Sequence, residues 1–263
     1  MAKVVNGINI PDFSLEGKVA IVTGGTKGLG LAVSTTLAAF GAKVVIASRT
    51  AADCERVSAA INAEGYETFA RPTDVMKVEN IYALVADAVA KYGKLDIMIN
   101  NAGSAVTAMA LKMTEEDWDH VMALDLKSCI FGAQAAAKQF VEQGTGGRII
   151  NIASMCGLAG SKAISSYCAA KAGLINASRS LAAEWGKYGI TVNCICPGYF
   201  KTDINAYMFE NEKWVQGICK ATAVGHVCEL DEITAPIVWL AGDHSGSTTG
   251  AYILMDGGTT TFI

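Results

Sequence analysis

Histidine is scarce in this sequence: three residues, His120, His226 and His244, lie scattered along 263 positions. No His/Cys cluster has the spacing of a metal site, so none is expected. Prolines number four and no stretch is of low complexity, so nothing reads as a linker between domains. No internal repeat is evident. The eight cysteines form no paired C-x-x-C framework. They read as reduced thiols packed as small hydrophobes, with Cys194 and Cys196 on one face of a strand. A basic excess is missing too. The net charge of −4 excludes the electrostatic footprint of a nucleic-acid-binding domain. No apolar run reaches the roughly 20 residues needed to span a membrane. The opening, Met1 to Gly7, lacks the apolar core of a signal peptide, so a cytoplasmic location is expected. The length suits one large domain over 1–263, with 1–14 as an N-terminal extension.

What is present is an alternation. Apolar strand-like runs fall at 18–23, 43–48, 67–71, 95–100, 148–153, 190–195 and 251–255. Helical patterns fall between them at 28–40, 51–64, 76–92, 115–140, 165–187, 204–211, 213–220 and 230–241. This order predicts an α/β fold: a doubly wound parallel sheet of about seven strands with helices on both faces. In such sheets ligands sit beyond the C-terminal ends of the strands.

One strand, Val19 to Val22, runs into Thr23-Gly24-Gly25-Thr26-Lys27-Gly28-Leu29-Gly30 and then a helix. Strand, glycine turn and helix together make a phosphate-binding candidate. Gly24, Gly28 and Gly30 would let backbone approach a pyrophosphate that faces the helix N-terminus. The spacing is G-x-x-x-G-x-G rather than G-x-G-x-x-G, and a glycine turn alone also fits a plain strand–helix connection.

Downstream, Tyr167 and Lys171 stand four apart in a helical pattern, with Ser154 thirteen residues before the tyrosine. Side chains at that helical spacing share a face, about 5–6 Å apart at Cβ. A phenol alone is a poor base at neutral pH, its pKa being near 10. An ammonium beside it favours the phenolate and is expected to lower that pKa. The pair could then donate a proton to a carbonyl oxygen or take one from an alcohol, with Ser154 holding the same oxygen.

These motifs together resemble the short-chain dehydrogenase/reductase family in its single-domain form. The resemblance extends from about Leu15 to Gly258. It includes Asn100-Asn101-Ala102-Gly103, Asp74 with Val75, Pro197-Gly198 with Thr202, and Asp256-Gly257-Gly258. It implies a Rossmann-like fold and an oxidoreductase that exchanges a hydride with a nicotinamide cofactor. Asp74 would meet the adenine amino group. Asn101 and Gly103 would line the adenosine and ribose, and Phe200 and Thr202 would contact the carboxamide. Members using NAD carry an acidic residue after the second strand. Here that position is Ser48, followed by Arg49, and Lys27 adds a cation inside the glycine turn. Two cations with no adjacent carboxylate suit a 2′-phosphate, so NADP(H) is expected over NAD(H).

The resemblance also implies a pairing of subunits through the helix of Tyr167 and Lys171, which is rich in small residues (Ala169, Ala170, Ala172, Gly173, Ala177). A homotetramer is expected. Where the family usually has an asparagine, this chain has Asp125. Its charge would favour the Lys171 ammonium and oppose the phenolate. Alternatively the carboxyl is protonated, or is held away from the lysine.

Pocket candidates are Ser104, Val106, Met155, Cys156, Ile164, Tyr199, Met208 and Trp214, with about 203–228 as the substrate loop region. The mix is mostly apolar and suits a neutral or partly apolar secondary alcohol or ketone, of polyol or sugar type or a cyclic ketone. Phe13 to Lys18, and Pro197 to Thr202 followed by Trp214, look like sugar-acid and polyol members such as gluconate 5-dehydrogenases. His226 stands where those often carry an arginine, which weakens the case for an anionic sugar acid. Reductases of 3-oxoacyl thioesters, hydroxysteroid enzymes and an inactive cofactor-sensing scaffold are the alternatives. Cys156 and Cys168, beside the two motifs, are the candidates for thiol-reagent sensitivity.

Overall fold

In the computed structural model, residues 4–202 and 206–261 are described, without the side chains of Asn9, Tyr207 and Met208. Seven strands form one parallel sheet: β1 (Val19–Thr23), β2 (Lys43–Ala47), β3 (Thr68–Ala70), β4 (Ile97–Asn100), β5 (Gly147–Ile152), β6 (Ile190–Pro197) and β7 (Tyr252–Met255). Their spatial order is β3-β2-β1-β4-β5-β6-β7, every pair parallel. The order reverses direction at β1, between β2 and β4, which opens a crevice at the strands' C-terminal ends. All seven predicted strands are present. Strands buried on both faces read as continuous apolar runs because helices cover both sides.

The helices are α1 (Gly28–Ala39), α2 (Ala51–Ala63), α3 (Val78–Tyr92), α4 (Glu115–Met122), α5 (Ser128–Gln143), α6 (Ser165–Trp185), α7 (Ala206–Phe209), α8 (Glu212–Ala221) and α9 (Thr234–Ala241). One apolar cluster, including Leu37, Val44, Ile99 and Ile237, packs on one face of the sheet; a second, including Ile81, Met98, Phe140 and Ile149, packs on the other. Thr114 and Asp117 form a reciprocal capping box that starts α4. Gly93 ends α3 and Gly144 ends α5, both in left-handed backbone (φ 81° and 70°) that glycine adopts without strain.

Two sequence boundaries shift. The predicted helix 115–140 is continuous to Gln143, but its middle, Ala123–Lys127, is a π-helical segment containing Asp125. Such a bulge adds a residue to one turn and re-aims the side chains around it. The expected helix 230–241 begins only at Thr234, after a turn. The first three residues of the expected helix 204–211 straddle the limit of the described residues. At the N-terminus, Val4–Val5 and Ile8–Asn9 form a small antiparallel hairpin. No described helix is long and apolar enough to cross a membrane.

Candidate active site

The glycine turn follows β1 at the crevice. Its glycines are sterically required. A Cβ on Gly30 would lie 2.1 Å from the Gly24 carbonyl oxygen, and one on Gly24 would lie 2.9 Å from Asn101 Nδ2. Gly24 and Gly28 both have positive φ, 65° and 51°. A Cβ on Gly28 would press on Thr202, 3.1 Å away, so the loop after β6 closes over the turn. No side chain caps the N-terminus of α1, and no acidic residue stands in its first turn. A narrow backbone cradle facing an uncapped helix N-terminus fits a pyrophosphate.

Asn101 braces the glycine turn. Its Nδ2 donates to the carbonyls of Thr23 (2.9 Å) and Gly24 (3.2 Å), while Thr23 Oγ1 accepts the Asn101 and Ala102 N–H groups. These bonds fix the turn beside the end of β4 at Asn100. Asp74 lies beyond β3, its Oδ1 accepting the Met76 N–H at 3.1 Å, next to buried Val75. Ser48 follows β2 with its hydroxyl on Cys54 Sγ (3.2 Å), and Arg49 is exposed. Lys27, expected to be a free cation, has a partner: its Nζ lies 3.2 Å from Asp53 of α2.

Ser154 follows β5 and Tyr167 and Lys171 sit on α6. A buried polar chain locks these elements together. Asn100 donates to Asn151 (2.8 Å), Asn151 to Ser178 (2.8 Å), and Ser178 to the Leu174 carbonyl (2.7 Å). A buried network with every member paired fixes one arrangement of strand and helix. Ser178 could not be singled out in the sequence, since one serine in a helix carries no local signal.

Ser154 Oγ accepts the Cys156 N–H at 3.1 Å. The Lys171 ammonium lies 5.4 Å from the centre of the Tyr167 ring. It donates to the Ile152 carbonyl at 2.9 Å and pairs with Asp125 Oδ1 at 3.2 Å. The pair is buried, with side chains 3% and 0% exposed. The Ser104 N–H points at both Asp125 oxygens, 3.2 and 3.1 Å away. These contacts all come from donors, which is the environment of a carboxylate and not of a carboxylic acid. Asp125 therefore faces the lysine directly. Gly103 makes the room: a Cβ there would lie 2.5 Å from Asp125 Oδ1 and 3.3 Å from Lys171 Nζ.

Burial pushes the Asp125 carboxyl above the usual carboxylate range, against the pull of Lys171 and the Ser104 N–H. Burial works against the Lys171 ammonium, yet the anionic forms of Tyr167, Asp125 and Cys129 outweigh it and hold the lysine above its ordinary range. Of these groups Asp125 is the one in direct contact with the ammonium, at 3.2 Å. The expected lowering of the tyrosine does not survive. Burial raises the Tyr167 phenol above its ordinary value; Lys171 and the Ser154 hydroxyl pull it down, and Asp125 adds to the rise. The resting tyrosine is thus protonated and ready to donate.

Around this centre, Tyr199 and Trp214 stack edge to face at 6.0 Å, and Phe209 meets Trp214 at 5.1 Å. Pro197 closes β6, and Gly198 lets Asp256 approach, since a Cβ would lie 2.5 Å from its Cα. The Phe200 side chain turns into the core and borders a cavity of about 130 Å³ with Val224, His226, Cys228 and Met255. Met155 is buried and Ser104 is exposed beside Asp125. The Met208 side chain lies outside the described residues. Burial also pushes the Cys156 thiol up, which argues against the reactivity expected of it. Among the described residues no cluster could hold a metal.

The profile of the short chain dehydrogenase family matches residues 18–213. The chain is 39% identical over 246 residues to 2-dehydro-3-deoxy-D-gluconate 5-dehydrogenase of Escherichia coli (strain K12), covering 94% of this chain and 96% of that protein. It is 33% identical over 245 residues to a 3-oxoacyl-[acyl-carrier-protein] reductase of the same organism, covering 93% and 98%. Its fold superposes, with a TM-score of 0.91 and 30% identity, on a crystal structure of a gluconate 5-dehydrogenase from Burkholderia cenocepacia J2315 in complex with NADP and tartrate, covering 95% and 98%.

Proposed function

The chain belongs to the short-chain dehydrogenase family, and on that footing we propose that it interconverts a secondary alcohol and its ketone through Tyr167, with NADP(H) preferred over NAD(H). The observation that carries this reading is the buried Asp125–Lys171 pair, with the Lys171 ammonium 5.4 Å from the centre of the Tyr167 ring. Arg49, Lys27 and the glycine cradle would hold the nucleotide, with Thr202 closing on the turn. The nucleotide supplies or accepts the hydride when bound.

The residues of the chain handle the proton. In reduction, the Tyr167 O–H donates to the carbonyl oxygen as that oxygen gains charge. Ser154 accepts the Cys156 N–H on one lone pair, and its O–H remains a donor that can bind the same oxygen. The Lys171 ammonium stabilises the phenolate left behind. Asp125 and the Ile152 carbonyl hold that ammonium in place. In the alcohol-oxidising direction the roles reverse and Tyr167 accepts the proton.

The substrate proposed is a sugar-type polyol or sugar acid. The relatives named for gluconate derivatives support it, as do the aromatic walls of Tyr199, Phe209 and Trp214 beside a few polar groups. A 3-oxoacyl thioester is the second reading, supported by the reductase relative. The assay follows nicotinamide absorbance with ketogluconates, polyols, cyclic ketones and acetoacetyl thioesters, each with both nucleotides. Turnover of ketogluconates or polyols supports the proposal, and turnover confined to thioesters moves it to the second reading. Tyr167→Phe should bind the nucleotide as wild type does and turn over nothing. Full activity in that variant would sink the role of Tyr167. Ala169 and Ala172 stand exposed on α6, and a homotetramer built through that helix is expected; light scattering on a sizing column checks it.

A further inference from the structure

Lys27 and Arg49 read as two unopposed cations in the sequence, but the fold sets a carboxylate among them. Asp53 stands in the first turn of α2, one turn after Arg49. Its Oδ2 lies 3.2 Å from Lys27 Nζ and its Oδ1 lies 3.4 Å from Arg56 Nη2. Thr50, the N-cap of α2, makes no side-chain cap, so the helix N-terminus also favours an anion at this point. Lys27, Arg56 and the helix thus all hold Asp53 ionised and in place. The cation of the glycine turn already has a partner before any nucleotide arrives.

We propose that Asp53 is a specificity-determining residue that competes with the 2′-phosphate of NADP(H) for Lys27 and keeps the preference over NAD(H) narrow. The inference rests on the reading that the glycine turn binds a nicotinamide dinucleotide. A phosphate monoester carries about −1.5 to −2 charge at neutral pH. To pair with Lys27 it must displace or share Asp53, and it then sits in that carboxylate's field. NAD(H) has hydroxyls there, so it meets no such repulsion. The field acts between groups near the surface, so salt screens it over roughly 8–10 Å at moderate ionic strength.

The test is equilibrium binding of NADPH and NADH, followed by nucleotide fluorescence, to wild type, Asp53→Asn and Asp53→Glu. Asp53→Asn should tighten NADPH by about 3- to 10-fold and leave NADH within about twofold, with the gain shrinking as salt is raised. Asp53→Glu, which keeps the charge, should hold the wild-type ratio. An unchanged NADPH/NADH ratio in Asp53→Asn overturns the proposal, and so does weaker NADPH binding, which would make Asp53 a support for Lys27. If wild type binds neither nucleotide, the reading of the glycine turn fails with it. Both nucleotides binding with a ratio that ignores Asp53 sinks only the inference.

Discussion

Replacing Asp125 by asparagine removes one charge from beneath the proton relay and little else. The carboxylate lies 3.2 Å from Lys171 Nζ, which lies 5.4 Å from the centre of the Tyr167 ring, so it stands within about 9 Å of that ring. Two unit charges at about 9 Å in an effective dielectric of about 20 interact by about 2 kcal/mol. Wild-type Asp125 opposes the Tyr167 phenolate, so its removal favours that phenolate. The sign follows for alcohol oxidation, where the deprotonated tyrosine is the active form. The acid limb of kcat/KM against pH should move to lower pH by about one unit. Lys171 loses an anion at the same time, so its ammonium should be lost at lower pH than in wild type. The assay is the pH profile of NADP⁺-linked oxidation for both proteins, with nucleotide binding measured alongside. An acid limb that stays put, with nucleotide binding intact, would refute the charge argument. It would mean that Asp125 acts through shape alone or is already neutral.

Other outcomes follow from the same coordinates. Asp125→Ala leaves the Lys171 charge buried without its anion and should lower stability by about 3–5 kcal/mol, read from denaturant midpoints. Gly103→Ala drives a methyl to 2.5 Å from Asp125 Oδ1, so kcat should fall at least about tenfold while circular dichroism stays native. Asp256 accepts from the Gly258 N–H (2.9 Å), the Thr260 N–H (2.8 Å) and the Thr260 hydroxyl (2.7 Å). Burial opposes its charge, but these bonds win and hold the carboxyl below the usual range. A depressed folded pKa stabilises above the unfolded carboxylate range and the benefit fades as pH falls through the folded value. Asp256→Asn should therefore cost about 1–3 kcal/mol near neutral pH, and the gap in Tm from wild type should close in acid. A gap that persists at low pH would assign the effect to packing.

The inner strands were legible because burial on both faces makes them largely apolar, and seven strand-like runs separated by helical patterns leave few topologies. The glycine turn and the Ser154, Tyr167 and Lys171 set were legible because each is local: spacing alone puts a tyrosine above a lysine on one helix face. The bracing role of Asn101 was not legible, since nothing local shows that its amide reaches the carbonyls of Thr23 and Gly24. α9 starts at Thr234 because residues 229–234 close two hydrogen-bonded turns first, Glu232 N–H to the Glu229 carbonyl and Thr234 N–H to the Asp231 carbonyl.

By itself, then, the sequence determined which chemistry is built in, because the residues of the relay are written at fixed spacing along single elements. Tertiary structure alone decided how that chemistry is tuned. Asp125 meets Lys171 through a π-helical segment packed on α6, and Asp53 meets Lys27 across two helix N-termini. Burial, a property of the whole fold, raises Tyr167 where its neighbour alone would lower it. Charges couple through distance in space, and that distance is set only when the sheet and its helices have packed.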